Sequence, residues 1–357
     1  MLAVLTTTFT EDRERGRAFG IWAAIATGGA AFGLILGGVL TQYLGWRWCL
    51  YVNVPIAAVV ALGVAATVPT RAHRSPVRLD LPGTILGCGG VAALVYGLGQ
   101  AASAPWGSAG VAVPLAAAVI TLAAFVVVQG RSAHPLLPLR ILASRNRGGA
   151  YLSISLAMLA NYGAFLFLTY ILQRVEHFSP LAAGLGFLPL TAINGVASTQ
   201  VASRLLARLP VRAIVVPGLL IGAAGAGLLT QLTPASSYAG LVLPAELLLG
   251  TGLGLSIMPL FATATREADP ADAGATGAAA NMAQQVGASV GTAVLNTIAA
   301  TATAAYLAAH HGLAGAATAA ISHGYSTASL WAAATLALAA LAGGALITTR
   351  PSRPRTR

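Results

Sequence analysis

Long apolar runs alternate with short polar connections along nearly the whole chain. Each run holds about 20 residues or more, enough for a helix rising about 1.5 Å per residue to cross about 30 Å of hydrocarbon. The pattern therefore predicts ten complete membrane-spanning helices. They cover residues 19–42, 49–69, 81–101, 110–129, 149–172, 181–203, 213–231, 238–262, 277–303 and 327–348.

The arginines are distributed unevenly between the two sets of connections. Of the 20 arginines, 18 fall on alternate connections or at the two ends of the chain. The other set of connections holds only Arg47 and Arg174, and its longest member, residues 304–326, has none. Because basic residues are retained on the cytoplasmic side during insertion, the bias predicts that both ends of the chain are cytoplasmic.

Composition supports the same fold class. Charged residues make up 8% and apolar residues 57% of the chain, against about 25% and 45–50% in soluble proteins. The net charge of +11 does not indicate nucleic-acid binding, because the arginines are spread over separate connections and not over one face. We expect an all-α, polytopic membrane helix bundle in a bacterial cell membrane, with the lipid bilayer around it and basic residues beside anionic headgroups.

The amino end departs from this pattern. Residues 1–8 (MLAVLTTT) are apolar but too short to cross a bilayer, and the polar EDRERGR follows shortly after. This stretch is not a signal peptide, because the charged region of a signal peptide precedes its apolar stretch, whereas here the charged residues follow. We interpret the stretch as the end of a further helix whose beginning is absent, either because the start codon is set late or because the chain is a native fragment.

Several strings, taken in order, resemble the fourteen-helix drug:proton antiporter branch of the major facilitator superfamily. GAAFGLILGG at residues 29–38 is similar to the GxxxGPxxGG antiporter motif of family helix five, and LGWRWCLYVNVP at 44–55 resembles the stretch after it. Each string alone is weak, but their order and spacing make a strong match. The others are HPLLPLRILASRNR, HFSPLAAGLGFLPL, GTGLGLSIMPL and AGATGAAANMAQQVGASVG.

The resemblance implies the organisation of the chain, with the ten spans corresponding to family helices five to fourteen. Residues 1–70 would be the remnant of an amino-terminal bundle, and 71–148 a two-helix insert with a basic cytoplasmic linker. Residues 149–349 would form a carboxyl-terminal six-helix bundle, followed by a basic tail at 350–357.

The resemblance also implies the activity: proton-coupled efflux of hydrophobic or cationic drugs by alternating access. The acid on helix one and the arginine on helix four that the family uses in coupling lie in the absent part. We therefore expect the chain of 357 residues by itself to be inactive. Three positions depart from the family pattern: Leu34 replaces the motif proline, Ala207 an expected aspartate, and Gln284 a residue that is often basic.

Glu246 is the one charged residue inside a predicted span, which makes it the proton-coupling candidate. Ionisable groups within a membrane are costly and usually face a cavity or relay protons. Two simpler interpretations remain: the side chain reaches water at the outer mouth, or a neighbouring amide holds it neutral.

Other polar and aromatic residues in the spans are candidates for lining a substrate cavity. Bulky drugs need a mixed apolar and polar pocket, although amides between membrane helices also serve as structural hydrogen bonds. The candidates are Asn161, Tyr162, Phe165, Tyr170, Asn194, Asn281, Gln284 and Gln285.

Glycines recur four residues apart in two spans and so line one helix face. Small residues at this spacing let two helix backbones approach closely. The pattern predicts packing seams, either static or at the surface where two halves of the protein move. The residues are Gly29, Gly33 and Gly37 in one span, with Gly38 of the same motif directly after them, and Gly287 and Gly291 in another.

The remaining chemistry argues against other function classes. The chain has no lysine, so a nucleotide-binding GxxxxGK[ST] loop is impossible. No spacing of cysteine or histidine predicts a metal site or a cofactor, and no catalytic cluster predicts an enzyme. We expect small hydrophobic or cationic substrates and protons as partners, with no nucleotide. Two alternatives stay open: an exporter of an endogenous secondary metabolite, and a non-transporting membrane partner protein.

Overall fold

The structure is a computed structural model that describes residues 12–67, 80–101, 104–132, 135, 137–265, 273–310 and 315–348. Side chains of the first helix are described from residue 28 onward. The predictions made for the first eight residues, the connection 71–78 and the tail 350–357 lie outside the described residues.

Helices are the only regular elements in these ranges. They are α1 (Asp12–Tyr43), α2 (Trp48–Tyr51 and Asn53–Thr67), α3 (Leu81–Gln100), α4 (Ala109–Arg131), the short α5 (Leu139–Ala143), α6 (Arg145–Tyr170, extended by the π turn Ile171–Val175), α7 (Pro180–Gly186, Leu188–Val196, the π turn Ala197–Ala202 and Ser203–Leu206), α8 (Arg212–Leu228 and the 3-10 turn Leu229–Gln231), α9 (the π turn Tyr238–Val242 and Leu243–Thr265), α10 (Ala273–Ala309) and α11 (Ala316–Leu346).

The predicted all-α membrane fold is confirmed. Within the described residues, nine helices are long and apolar enough to cross a membrane: α2 to α4 and α6 to α11. The first predicted span, residues 19–42, falls inside α1, which runs unbroken through Leu34.

Polar caps mark where several of these helices begin. Asp80 accepts a hydrogen bond from the Gly83 N–H (2.9 Å) at the start of α3. Ser179 accepts one from the Ala182 N–H (3.2 Å) at the start of α7, directly before Pro180. Side-chain oxygens at the N-cap satisfy the free N–H groups of the first turn, and proline suits that turn because it lacks an N–H.

The connection predicted at residues 304–326 is mostly helical, which corrects that prediction. Helix α10 continues to Ala309 and α11 begins at Ala316. The flanking strings AAYLAA and AATAAIS are rich in alanine, the strongest helix former, so both helices extend beyond their most apolar parts. Gly315, with φ of +78°, lies at the start of α11 in a left-handed conformation that glycine adopts readily.

The predicted span 181–203 is interrupted in the structure. Helix α7 breaks at Phe187, and the next segment carries Pro189 in its first turn. A proline cannot donate the hydrogen bond that would continue the helix, so a new helical segment begins there. We call the break at Phe187 the Phe187 joint. A second irregularity follows at the π turn Ala197–Ala202.

Helices α6 to α11 pack into one bundle. Helix α6 contacts α10 and α11, α8 lies between α9 and α11, and α7 packs on α9. Fully buried side chains fill the interior, among them Phe167, Leu249 and Leu336. The α3–α4 hairpin joins the bundle where α3 packs on α10, and there Thr297 donates a hydrogen bond to the Leu98 carbonyl (3.3 Å).

The remaining two long helices have their main contact with the bundle at α7. Helix α1 packs against the first two segments of α7. Helix α2 follows α1 and has none of its membrane-length window buried. The α1–α7 contact is therefore the main contact of the amino-terminal helices with the bundle within the described residues.

Candidate functional site

Glu246 lies in the first turns of the α-helical part of α9, and its side chain has no exposed surface. Its Oε2 is 3.4 Å from the Tyr238 hydroxyl oxygen. Its Oε1 has no hydrogen-bond partner among the described residues. A buried carboxyl group with one oxygen unsatisfied is costly, and such groups in membrane helices serve ion or proton pathways.

Tyr238 connects Glu246 to the neighbouring helix. Its hydroxyl donates a hydrogen bond to the Gly186 carbonyl at 2.7 Å. The ring lies 5.7 Å from the Phe178 ring, centroid to centroid. A Cβ placed at Gly186 would lie 3.3 Å from Leu172 Cδ1, so the side-chain side of this residue has little free space. The carboxyl, the hydroxyl and the carbonyl form a unit that links α9 to the end of the first α7 segment, one residue before Phe187.

The sequence pattern missed Tyr238. Eight residues separate it from Glu246, a rise of about 12 Å in an ideal helix. That spacing predicts no contact. The π turn Tyr238–Val242 and the length of the tyrosine side chain bring the hydroxyl to the carboxyl group.

The aromatic candidates lie on α6 and contact two other helices. Phe165 stacks on Phe187, the joint residue of α7, with ring centroids 4.4 Å apart. Tyr170 stacks on Tyr325 of α11 at 5.8 Å. Tyr162, Phe165 and Tyr170 are all exposed at the protein surface, and Asn161 on the same helix is half-buried.

The structure does not bring the amide candidates into one hydrogen-bonded cluster. On α10, Asn281 and Gln285 are exposed and Gln284 is half-buried. The Asn281 amide donates to the Gly277 carbonyl of its own helix at 3.0 Å. Asn194 on α7 is half-buried, and its backbone carbonyl lies against Gly254 of α9.

Two of the predicted packing glycines lie on the α6–α10 seam. A Cβ at Gly287 would overlap the carbonyl of Ser155, and one at Gly291 would overlap the backbone of Leu159. Helices α6 and α10 therefore approach more closely than any larger residue would allow.

The glycines of α1 divide into two groups. A Cβ at Gly38 would lie 2.9 Å from Leu181 Cα on α7, so this glycine lies on a helix contact. For Gly29, Gly33 and Gly37, no atom of the described residues lies within 4 Å of such a Cβ.

Comparison with known proteins decides the family. The family model described as Major Facilitator Superfamily matches residues 1–292. The chain belongs to the Major Facilitator Superfamily. Membership in this transporter family agrees with the helical membrane fold and with the resemblance that the sequence motifs carry.

Characterised members of the superfamily extend the comparison. The chain is 45% identical to a puromycin resistance protein of Streptomyces alboniger over 99% of its own length and 73% of that protein. It is 40% identical to a cephamycin export protein of Amycolatopsis lactamdurans, with 87% of this chain and 65% of that protein covered. It is 32% identical to a tetracenomycin C resistance and export protein of Streptomyces glaucescens, with 83% and 55% covered. The names of these relatives describe resistance and export, and none describes an enzyme.

Proposed function

We propose that this superfamily chain takes part in the proton-coupled export of hydrophobic or cationic compounds across a bacterial cell membrane by alternating access. Three relatives named for antibiotic resistance or export support a small molecule as the substrate. The arginine bias supports an arrangement with both ends in the cytoplasm.

One observation carries the proton-coupling part of the proposal. Glu246 is fully buried in a membrane-length helix, and one of its carboxylate oxygens has no partner in the described residues. A structural acid would be expected to have both oxygens satisfied. Burial with one oxygen unpaired disfavours the charged carboxylate and so favours the protonated form, and a group held in this way can release its proton when water reaches it in the transport cycle.

The proposed substrate cavity lies between the bundle of α6–α11 and the α1–α2 side. Tyr162 and Phe165 on α6 and the amides Asn281 and Gln285 on α10 are exposed at the protein surface. Aromatic rings with a few polar groups suit bulky, weakly polar drugs. The division proposed for the chain is a remnant bundle (1–70), an insert and linker (71–148), a six-helix bundle (149–349) and a tail.

The experiment is efflux from inside-out vesicles that carry the full-length protein. Puromycin and a cationic dye serve as substrates, and the proton gradient is imposed. We expect Glu246→Gln to abolish gradient-driven export while leaving substrate binding measurable, because the amide keeps the shape but cannot ionise. The matched control is Glu176→Gln on the α6–α7 connection, because Glu176 Oε1 also has no partner among the described residues but the residue lies outside the membrane-length helices; its export should be unchanged. Unchanged gradient-driven export in Glu246→Gln would remove the proton role.

Export of an endogenous secondary metabolite is the second candidate. Two relatives are named for the export of cephamycin and of tetracenomycin C, and such compounds are secondary metabolites. Deleting the gene in its own host should then cause one such metabolite to accumulate inside the cells. A deletion strain that retains no metabolite but becomes sensitive to added drugs would favour general drug efflux.

A further inference from the structure

The Tyr238 hydroxyl has two neighbours but only one proton to donate. The Gly186 carbonyl lies at 2.7 Å and Glu246 Oε2 at 3.4 Å. The shorter distance favours Gly186 as the acceptor of the hydroxyl proton. A neutral Glu246 is compatible with this arrangement, because its own O–H can point to the hydroxyl oxygen.

An ionised Glu246 would change the direction of this hydrogen bond. A carboxylate accepts protons only, and a hydrogen bond to a charged acceptor is about twice as strong as one between neutral groups. The Tyr238 proton would then turn to the carboxylate, and the Gly186 carbonyl would lose its donor. The only covalent bond that is formed or broken in this cycle is the O–H of Glu246, whose proton is exchanged with water.

Gly186 lies beside the α1–α7 contact. Two residues earlier, a Cβ at Gly184 would lie 2.6 Å from the carbonyl oxygen of Leu34 on α1. The Leu181 N–H donates a hydrogen bond to Gln42 Oε1 of α1 at 3.2 Å. The first segment of α7 therefore holds α1 on one side and Tyr238 on the other, and it ends at the Phe187 joint.

We propose that Tyr238 is a positioning residue that makes the contact between α7 and α1 depend on the charge of Glu246. When Glu246 is neutral, Tyr238 holds Gly186 and the first α7 segment stays against α1. When Glu246 loses its proton, Tyr238 releases Gly186 and that segment can move at the Phe187 joint. This inference rests on the proposed function, because it takes Glu246 as the group that gains and loses the proton.

Tyr238 is the titratable group placed to respond to the charge of Glu246. Among the described residues of the elements packed against α9, Tyr238 is the titratable side chain that contacts Glu246. The others are Arg145, Arg147, Tyr151, Tyr162, Tyr170 and Arg174 on α6, Glu176 and His177 on the following connection, Arg204 on α7, Arg212 on α8 and Tyr306 on α10.

The test measures the α1–α7 contact directly by cross-linking. Cysteines replace Gln42 and Leu181 in the full-length protein, after Cys49 and Cys88 have been changed to serine. The cross-linked fraction is then followed in vesicles as the pH is raised from about 5 to about 9, a range in which buried carboxyl groups titrate. We expect it to fall about fivefold, the factor that corresponds to a typical single hydrogen bond.

Two variants separate the proposal from a merely structural role. Tyr238→Phe keeps the ring packed on Phe178 but removes the hydroxyl, so the cross-linked fraction should no longer change with pH. Glu246→Gln cannot ionise, so the fraction should stay at the value measured at low pH. The control Tyr96→Phe, on an exposed α3 tyrosine, should leave the pH dependence intact.

The outcomes separate this inference from the proposed function. If Tyr238→Phe or Glu246→Gln retains the pH dependence of the wild type, the inference is overturned. If Tyr238→Phe does not reach the membrane, the result for Glu246→Gln alone decides. Proton-driven export with a pH-independent contact refutes the inference and leaves the function standing. A pH-dependent contact without proton-driven export supports the inference and refutes the function.

Discussion

Gly291 offers the sharpest test of the packing, because its replacement must push two helix backbones apart. The Cβ of an alanine at this position would lie 2.6 Å from the Leu159 carbonyl carbon on α6, and also against other atoms of that backbone. A backbone inside a packed helix pair cannot rotate away as a side-chain end can. Helices α6 and α10 would therefore have to separate.

The expected cost combines two opposing effects. Forcing extra volume into a packed interior costs about 1–3 kcal/mol, whereas replacing glycine by alanine within a helix gains about 0.5–1 kcal/mol. Gly291→Ala should therefore lower the free energy of unfolding by about 1–2 kcal/mol. Gly277→Ala on the same helix is the matched control, since no described atom lies within 4 Å of its Cβ. It should raise that free energy by about 0.5–1 kcal/mol.

Unfolding of the purified protein in mixed micelles by added sodium dodecyl sulfate measures both changes. The two variants should shift the unfolding midpoint in opposite directions from the wild type. If Gly291→Ala is as stable as Gly277→Ala, the close α6–α10 approach is wrong. If both are destabilised equally, the effect does not come from the contact with Leu159.

Three further changes test the site, the interior and the topology. Phe165→Ala removes the ring that stacks on α7. If an aromatic substrate contacts this ring, its KM should rise about 2–10-fold, the factor that corresponds to the loss of one aromatic pair. An unchanged KM would place the substrate elsewhere. Tyr151→Phe removes a hydroxyl whose single proton is within reach of the Ala264 carbonyl on α9 (3.2 Å) and the Thr276 carbonyl on α10 (3.4 Å), and it should lower the free energy of unfolding by about 1 kcal/mol. Tyr96→Phe, at an exposed site, should change that free energy by less than about 0.5 kcal/mol. In a background without native cysteines, Ala309→Cys should react with an impermeant thiol reagent in intact cells and Thr348→Cys should not; the reverse result would invert the predicted topology.

The apolar pattern was enough to predict the membrane fold, because the bilayer imposes a nearly uniform length and hydropathy on every crossing helix. Glu246 could be found in the same way, since a single charge within an apolar span is conspicuous in sequence. The spacing of Gly287 and Gly291 also indicated a close helix contact, as small residues four apart lie on one face. These features are local and need no knowledge of the partner helix.

Contacts between distant segments were decided by the tertiary structure. Gly29, Gly33 and Gly37 share the four-residue spacing on α1, yet they have no described neighbour within 4 Å, while Gly38, which lies outside that spacing, is against α7. Tyr238 reaches Glu246 through a π turn and reaches Gly186 across a helix interface, and neither contact follows from residue spacing. Spacing along one helix determines which residues share a face, but only the packing of helices determines what that face meets.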